Sequence, residues 1–173
     1  MTISTLFAIG TILLQIFILL MVVDFILYRF AGVSIPGKKW LKFHGPKIAF
    51  VIAVSATIGS LIYSNVVGFD PCSLCWWQRI FLYPSVVVLG LGLLSRDRVY
   101  APMYALYLSG FALLIGVYHS YIQYGGTPLG NCGAATVTCA QRYVWEFGYI
   151  TLPLMSLTTS VAIVLVILIS YRK

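Results

Sequence analysis

The stretch Cys72-Ser73-Leu74-Cys75-Trp76-Trp77-Gln78-Arg79 runs without interruption into Ile80-Phe81-Leu82-Tyr83-Pro84-Ser85-Val86-Val87-Val88-Leu89-Gly90-Leu91-Gly92-Leu93-Leu94. The apolar part is as long as a membrane crossing requires, since about 20 helical residues span a hydrocarbon core of about 30 Å. The leading part sets two thiols in C-x-x-C spacing at the mouth of that crossing. If Asp70 caps the helix and Pro71 takes its first position, both cysteines fall in the first turn. Arg79, four residues after Cys75, then lies one turn below it on the same face. A helix N-terminus and a nearby cation both favour thiolate, the reactive form of cysteine. Asp70 opposes this more strongly at Cys72, so the pattern predicts Cys75 as the more acidic thiol.

Outward from this stretch, four further apolar runs are visible, at roughly 6–28, 46–66, 102–124 and 149–170. None alternates in the way barrel strands do. Of the 173 residues 61% are hydrophobic and 9% charged, and the mean hydropathy is +0.98. A soluble domain carries about 25% charged residues. The expected fold is therefore an all-α membrane bundle of five spans. The first run lacks a basic leader and a small-residue cleavage site, so it reads as a retained helix rather than a signal peptide. Asp24 near its end reads as an interfacial acid neutralised by neighbouring cations.

The formal net charge is +7. The basic residues flank the spans instead of forming one patch, which argues against a nucleic-acid partner and for a membrane-lipid one. Of the eleven Lys and Arg residues, all but Arg79 and Arg142 fall in the loop from Arg29 to Lys47, the turn Ser95-Arg96-Asp97-Arg98 or the tail Arg172-Lys173. If every run spans once, these three regions share one side, and the positive-inside rule makes it the cytoplasm. The N-terminus is then outside and the C-terminus inside. Cys72, Cys75, Cys132 and Cys139 all fall on the outer side, in the oxidising compartment where disulfides form and persist.

Three readings of these cysteines compete: structural bridges, a four-cysteine zinc site and a relay of exchangeable disulfides. A C-x-x-C bridge closes a loop too short to constrain the unfolded chain much. The C-x6-C spacing of Cys132 and Cys139 is unusual for zinc, and thiolates in such a compartment are prone to oxidation. Short, exposed disulfides tend to be the labile, exchanging ones. Arg79 either snorkels to headgroups or serves the dithiol and the head of a lipid-soluble electron acceptor. His119 and Gln123, four apart, share a helical face near the outer surface. Arg142 and Glu146 read as an interfacial helical ion pair, and the turn-rich 125–132 segment as a loop able to meet a soluble partner. No Gly-rich phosphate loop is present.

The motif Cys72-Ser73-Leu74-Cys75-Trp76-Trp77-Gln78-Arg79, with His119 and Gln123 ahead of Cys132 and with Cys139-Ala140-Gln141-Arg142 leading into Trp145 and Phe147, resembles the DsbB family of disulfide bond formation proteins. The resemblance covers roughly residues 45–170. It implies a four-helix redox domain over 48–173, preceded by an additional N-terminal transmembrane helix (1–30) and a basic cytoplasmic loop (31–47). It further implies a bacterial plasma-membrane thiol oxidase with Cys72, Cys75, Cys132 and Cys139 as catalytic residues. Cys132 would be attacked by a reduced thioredoxin-like, DsbA-like oxidase, and the Cys132–Cys139 bridge restored by exchange with Cys72–Cys75. Cys75 would pass electrons to a quinone, ubiquinone or menaquinone, held by Arg79 with Gln78 and His119 nearby, and no metal is implied. The family's four-helix members have no counterpart of the first apolar run. The six residues between Cys132 and Cys139 also make a short loop, leaving little room for Cys139 to swing towards Cys72. The contrasting reading is a non-catalytic transporter or assembly factor with structural outer disulfides.

Overall fold

The computed structural model describes residues 2–31, 38–129 and 138–171. Cys132, most of the loop around it, residues 32–37 of the basic loop and the tail Arg172-Lys173 lie outside the described residues. Among the described residues the regular secondary structure is helical, apart from an isolated antiparallel bridge between Glu146 and Ile150. Its helices are α1 (Ile3–Ala31), α2 (Lys38–Leu61), α3 (Ser73–Leu94), α4 (Tyr100–Gln123) and α5 (Leu152–Tyr171), with a π-helical turn, Ile62–Val66, continuing α2. All five are long and apolar enough to cross a membrane, and the protein is a multi-pass membrane protein.

Between apolar helices in lipid, burial of apolar surface is a weak driving force, and close backbone approach over small residues takes its place. Helix α4 carries such a row: Ala101, Ala105, Ser109, Ala112 and Gly116 are all buried. At Gly45 of α2 an added Cβ would stand 1.7 Å from Ser170 Oγ of α5, so only glycine permits that approach. α5 is the most enclosed helix and α1 the least. The core joins Met21 of α1, Ala49 and Ala53 of α2, Leu82 and Leu89 of α3, Ala105 of α4 and Ile163, Val166 and Ile167 of α5.

The antiparallel run of the helices collects the start of α1, the end of α2, the start of α3, the end of α4 and the start of α5 at one end of the bundle. The opposite end is closed by Tyr171, whose hydroxyl donates to the carbonyls of Arg98 and Val99. The guanidinium of Arg98 lies 4.5 Å from the ring centre of Phe43 there. The carboxylate of Asp97 accepts the backbone N–H groups of Val99, Tyr100 and Ala101 at the start of α4. Those bonds hold its pKa below the ordinary carboxylate value. At its other end α4 stops on Gly125 at φ 104°, with Gly125 N–H bonded to Ile122 O and Gly126 N–H to Tyr121 O. This is a Schellman closure, which needs a left-handed residue at that point. It turns the chain back over the cysteine end.

Candidate functional site

The third helix starts later than the sequence pattern predicts. Cys72, not Asp70, is its N-cap, with ψ 171°, and its Sγ accepts the backbone N–H of Cys75 at 3.3 Å. The sulfur thus takes the part usually played by a serine or aspartate oxygen, satisfying one of the orphan donors of the first turn. Pro71 lies before the cap, and Cys75 alone of the two cysteines is inside the helix.

This shift reverses the expected order of the thiols. The Cys72 and Cys75 sulfurs lie 2.8 Å apart, within hydrogen-bond reach. His119 Nε2 lies 3.6 Å from Cys72 Sγ and 3.3 Å from the carbonyl oxygen of Cys139. A carbonyl only accepts, so Nε2 carries the proton and the Cys72 sulfur is an acceptor too. The bond from Cys75 is the largest influence and lowers the Cys72 pKa. Burial opposes it, and His119 and the Cys75 N–H add to the lowering. Of the two thiols, Cys72 is the one whose hydrogen-bond donors favour the thiolate.

On the His119 side, α4 holds the segment that follows the outer loop. Gln123 Nε2 donates to the carbonyl of Gln141 at 3.0 Å. Arg142 Nε returns a bond of 2.7 Å to the carbonyl of Gln123, and its guanidinium lies 4.4 Å from the Trp145 ring centre. The predicted helical ion pair of Arg142 with Glu146 is therefore replaced: residues 138–151 form turns, and Arg142 instead satisfies an orphan carbonyl at the end of α4. Held in this way, Cys139 is 2% exposed and packs with Cys72 and Ile122 in one buried cluster. Its Sγ is 3.5 Å from Ser73 Oγ. Cys139 and Cys72 thus already share one buried cluster.

Cys72 and Cys75 are free thiols, whereas Cys139 is disulfide-bonded. Cys139 therefore cannot contribute a thiolate to a four-cysteine zinc site in this state. Cys72, Cys75 and His119 do bring three ligand atoms within 4.8 Å of one another.

The other side of the dithiol is a cavity of about 380 Å³. Cys75, Gln78 and Arg79 of α3 line it, together with residues of α1, α2 and α5 and the aromatic series Tyr63, Phe69 and Tyr143. Phe69 stacks on Tyr63 at 6.0 Å and on Tyr143 at 4.6 Å. Gln78 is buried, and its Nε2 has no hydrogen-bond partner among the described residues. Neither Cys72 nor His119 lines the cavity. Of the residues that the resemblance assigns to a cofactor, Arg79 and Gln78 come together at the cavity and His119 stands behind the dithiol.

Arg79 does not reach for the membrane surface. Its Nε donates to Ser60 Oγ at 3.0 Å, and its Nη2 donates to Ser60 O at 3.3 Å and to Ser64 Oγ. Tyr83 donates to the same Ser60 Oγ at 3.0 Å. Ser60, Ser64 and Tyr83 are site residues that sequence reasoning missed. The only signal was two serines four apart near the end of an apolar run, and no motif marks the passage of α2 into the π-helical turn that carries Ser64. Such turns recur at functional sites.

The family described as "Disulfide bond formation protein DsbB" matches residues 46–170. The chain belongs to the DsbB family. A "SPbeta prophage-derived disulfide bond formation protein B" of Bacillus subtilis (strain 168) is 42% identical over 109 residues, covering 63% of this chain and 73% of that one. A "Probable disulfide formation protein C 2" of Bacillus anthracis is 36% identical over 126 residues, covering 73% and 89%. A "Probable disulfide formation protein" of Oceanobacillus iheyensis is 37% identical over 111 residues, covering 63% and 76%. No solved structure matches the chain. DsbB membership assigns the protein to disulfide bond formation at a membrane, and α1 lies outside the matched residues.

Proposed function

We propose that the protein is a membrane thiol:quinone oxidoreductase that reoxidises an extracytoplasmic, DsbA-like thioredoxin-fold disulfide donor and passes the electrons to a membrane quinone. The observation that carries this reading is the split of one dithiol between two surroundings. Cys72 is buried against Cys139 and His119, while Cys75 opens on an apolar cavity.

The cavity suits a quinone by its chemistry. Its lining is largely apolar, a guanidinium is fixed at one wall, and Gln78 lines it one residue before Arg79. Arg79 and Gln78 would hold the ring oxygens, with Cys75 alongside. A quinone bound there supplies a two-electron, two-proton sink for the dithiol. A potential gap of about 30 mV in such a couple is worth about 1.4 kcal/mol, so no nucleotide is needed to drive the exchange.

The protein residues supply the rest. A thiolate of the reduced partner attacks Cys132, forming a mixed disulfide and releasing Cys139 as thiolate. Cys139 then attacks Cys72 within an oxidised Cys72–Cys75 pair; the S–S bond to Cys139 forms, and Cys75 leaves as thiolate at the cavity wall. His119 donates to the Cys72 sulfur and fixes the Cys139 backbone, keeping the attacking and attacked atoms on one side. Attack by the partner's second thiol on the mixed disulfide releases the oxidised partner, and Cys132 reclaims Cys139. The Cys72–Cys75 dithiol is then left reduced, and oxidation at the cavity resets it. The basic end of the bundle, opposite the dithiol, supports a cytoplasmic C-terminus and a cysteine end facing the periplasm or cell exterior of a bacterial plasma membrane.

Purified protein, a reduced thioredoxin-like substrate and added quinone test the proposal. The expected result is loss of quinone absorbance in step with substrate oxidation. Substrate oxidation that does not depend on quinone, or no oxidation at all, overturns it.

A further inference from the structure

The helix outside the family match builds part of the site. Phe7, Gly10, Thr11 and Leu14 of α1 line the cavity that reaches Cys75 and Arg79. Their spacing of three and four residues places them on one helical stripe. The helix is seated on both sides of this stripe. The Phe7 ring lies 5.3 Å from that of Tyr63 and rests on Gly59, where an added Cβ would stand 3.0 Å from it. Further along, Gln15 accepts the hydroxyl of Tyr149 at 2.8 Å and donates to Thr158 Oγ1 at 3.4 Å. Ala8 and Thr11 are buried by this docking. A helix placed only to fill lipid-facing surface has no need of polar ties to α5 and the turn before it.

Gly10 stands out on the stripe. A Cβ built there meets nothing within 4 Å, so the close packing that explains Gly45 does not explain it. Glycine in a helix interior costs about 1 kcal/mol relative to alanine. A larger side chain at Gly10 would enter open space beside the cavity lining.

We propose that α1 is the substrate-selecting wall of the quinone site, with the Phe7, Gly10, Thr11 and Leu14 stripe setting how bulky a quinone ring the cavity admits. This rests on the quinone reading of the cavity given above. Side chains at Gly10 and Leu14 face the same space from one helix, so enlarging one and shortening the other move the fit in opposite directions. One methylene of misfit in an apolar pocket discriminates by about tenfold or more.

The test measures equilibrium binding of a ring-only benzoquinone and a prenylated naphthoquinone to the full-length protein in detergent, read by quenching of tryptophan fluorescence. Gly10→Leu is expected to raise the naphthoquinone-to-benzoquinone ratio of Kd values by about tenfold, and Leu14→Ala to lower it by about threefold. Leu13→Ala, on the exposed side of α1 away from the cavity lining, should leave the ratio unchanged. Opposite movements of the ratio cannot come from partial unfolding, which weakens both ligands together. If the wild-type protein binds both quinones and the two cavity variants leave the ratio within twofold, the inference about α1 is wrong while the quinone reading stands. If the wild-type protein binds neither quinone, as when a lipid acyl chain occupies the cavity, the quinone reading fails and takes the inference with it.

Discussion

The two sides of the dithiol differ in the way the protein holds them. Around Cys72 the contacts are polar, short and mutually dependent: a helix N-cap, a histidine and a turn fastened to the end of α4 by Gln123 and Arg142. Around Cys75 and Arg79 the surroundings are an apolar cavity, with a guanidinium pinned to Ser60 and Ser64 along one wall. Sulfur exchange needs an attacking thiolate and a target in contact, and a rigid, hydrogen-bonded wall supplies this. Electron transfer to a lipophilic acceptor needs space, low polarity and one fixed charge. Two residues of sequence separate the cysteines, and under the proposed function one helix start divides the two chemistries.

That contrast breaks most sharply at the cysteines. Cys72→Ser and Cys75→Ser are each expected to lower quinone-linked turnover by at least about a thousandfold. The trapped species should differ: Cys75→Ser leaves Cys72 able to hold a disulfide with Cys139, and Cys72→Ser does not. Peptide mapping under non-reducing conditions reads this, and a Cys75–Cys139 bridge in the Cys72→Ser protein would count against the division of sides.

Arg79→Ala should weaken quinone binding by about 10- to 100-fold, the worth of a charge-assisted contact. Arg79→Lys should recover only part of it, since an ammonium cannot reproduce the fork that engages Ser60 and Ser64. Exchange between Cys139 and the oxidised pair, followed by rapid quench, should slow less than quinone binding weakens, because the guanidinium acts on that step only through the charge of the leaving Cys75 sulfur.

His119→Phe sharpens the other side. The Cys72 pKa is lowered in the fold, so its thiolate persists as pH falls below the ordinary thiol value of about 8.5. The stability this contributes is full above that value and is lost as pH falls through the native one. The acid limb of Cys72 modification by a methanethiosulfonate should move to higher pH in the variant, with little change at pH 9. An unchanged pH profile would remove His119 from the thiolate's support. The smallest effect is expected for Gln123→Ala. Loss of one hydrogen bond of about 1 kcal/mol should slow Cys139 exchange about fivefold and leave quinone affinity untouched.

Much of this arrangement is legible from residues alone. The five apolar runs coincide with the five spanning helices, because nothing but a helix satisfies the backbone in lipid. The segments carrying Cys72, Cys75, His119 and Cys139 reach one end of the bundle by the alternation of the runs. The start of α3 was misplaced because a cysteine is an unusual cap, and Asp70-Pro71 carries the stronger local signal. Arg142 and Glu146 were misread because spacing of four suggests a helix, whereas an unsatisfied carbonyl at Gln123 was the partner within reach. Ser60, Ser64 and the α1 stripe carried no motif, since their roles arise only where helices distant in sequence meet.

The sequence by itself determined a helical membrane protein with its reactive sulfurs at the ends of apolar spans, since length, hydropathy and spacing are properties of each segment alone. Only the tertiary structure decided that Cys72 faces His119 and Cys139 while Cys75 faces the cavity, and that α1 closes one wall of it. The rotation of a helix about its own axis is set by neighbouring side chains and close backbone contacts, and no single segment encodes it.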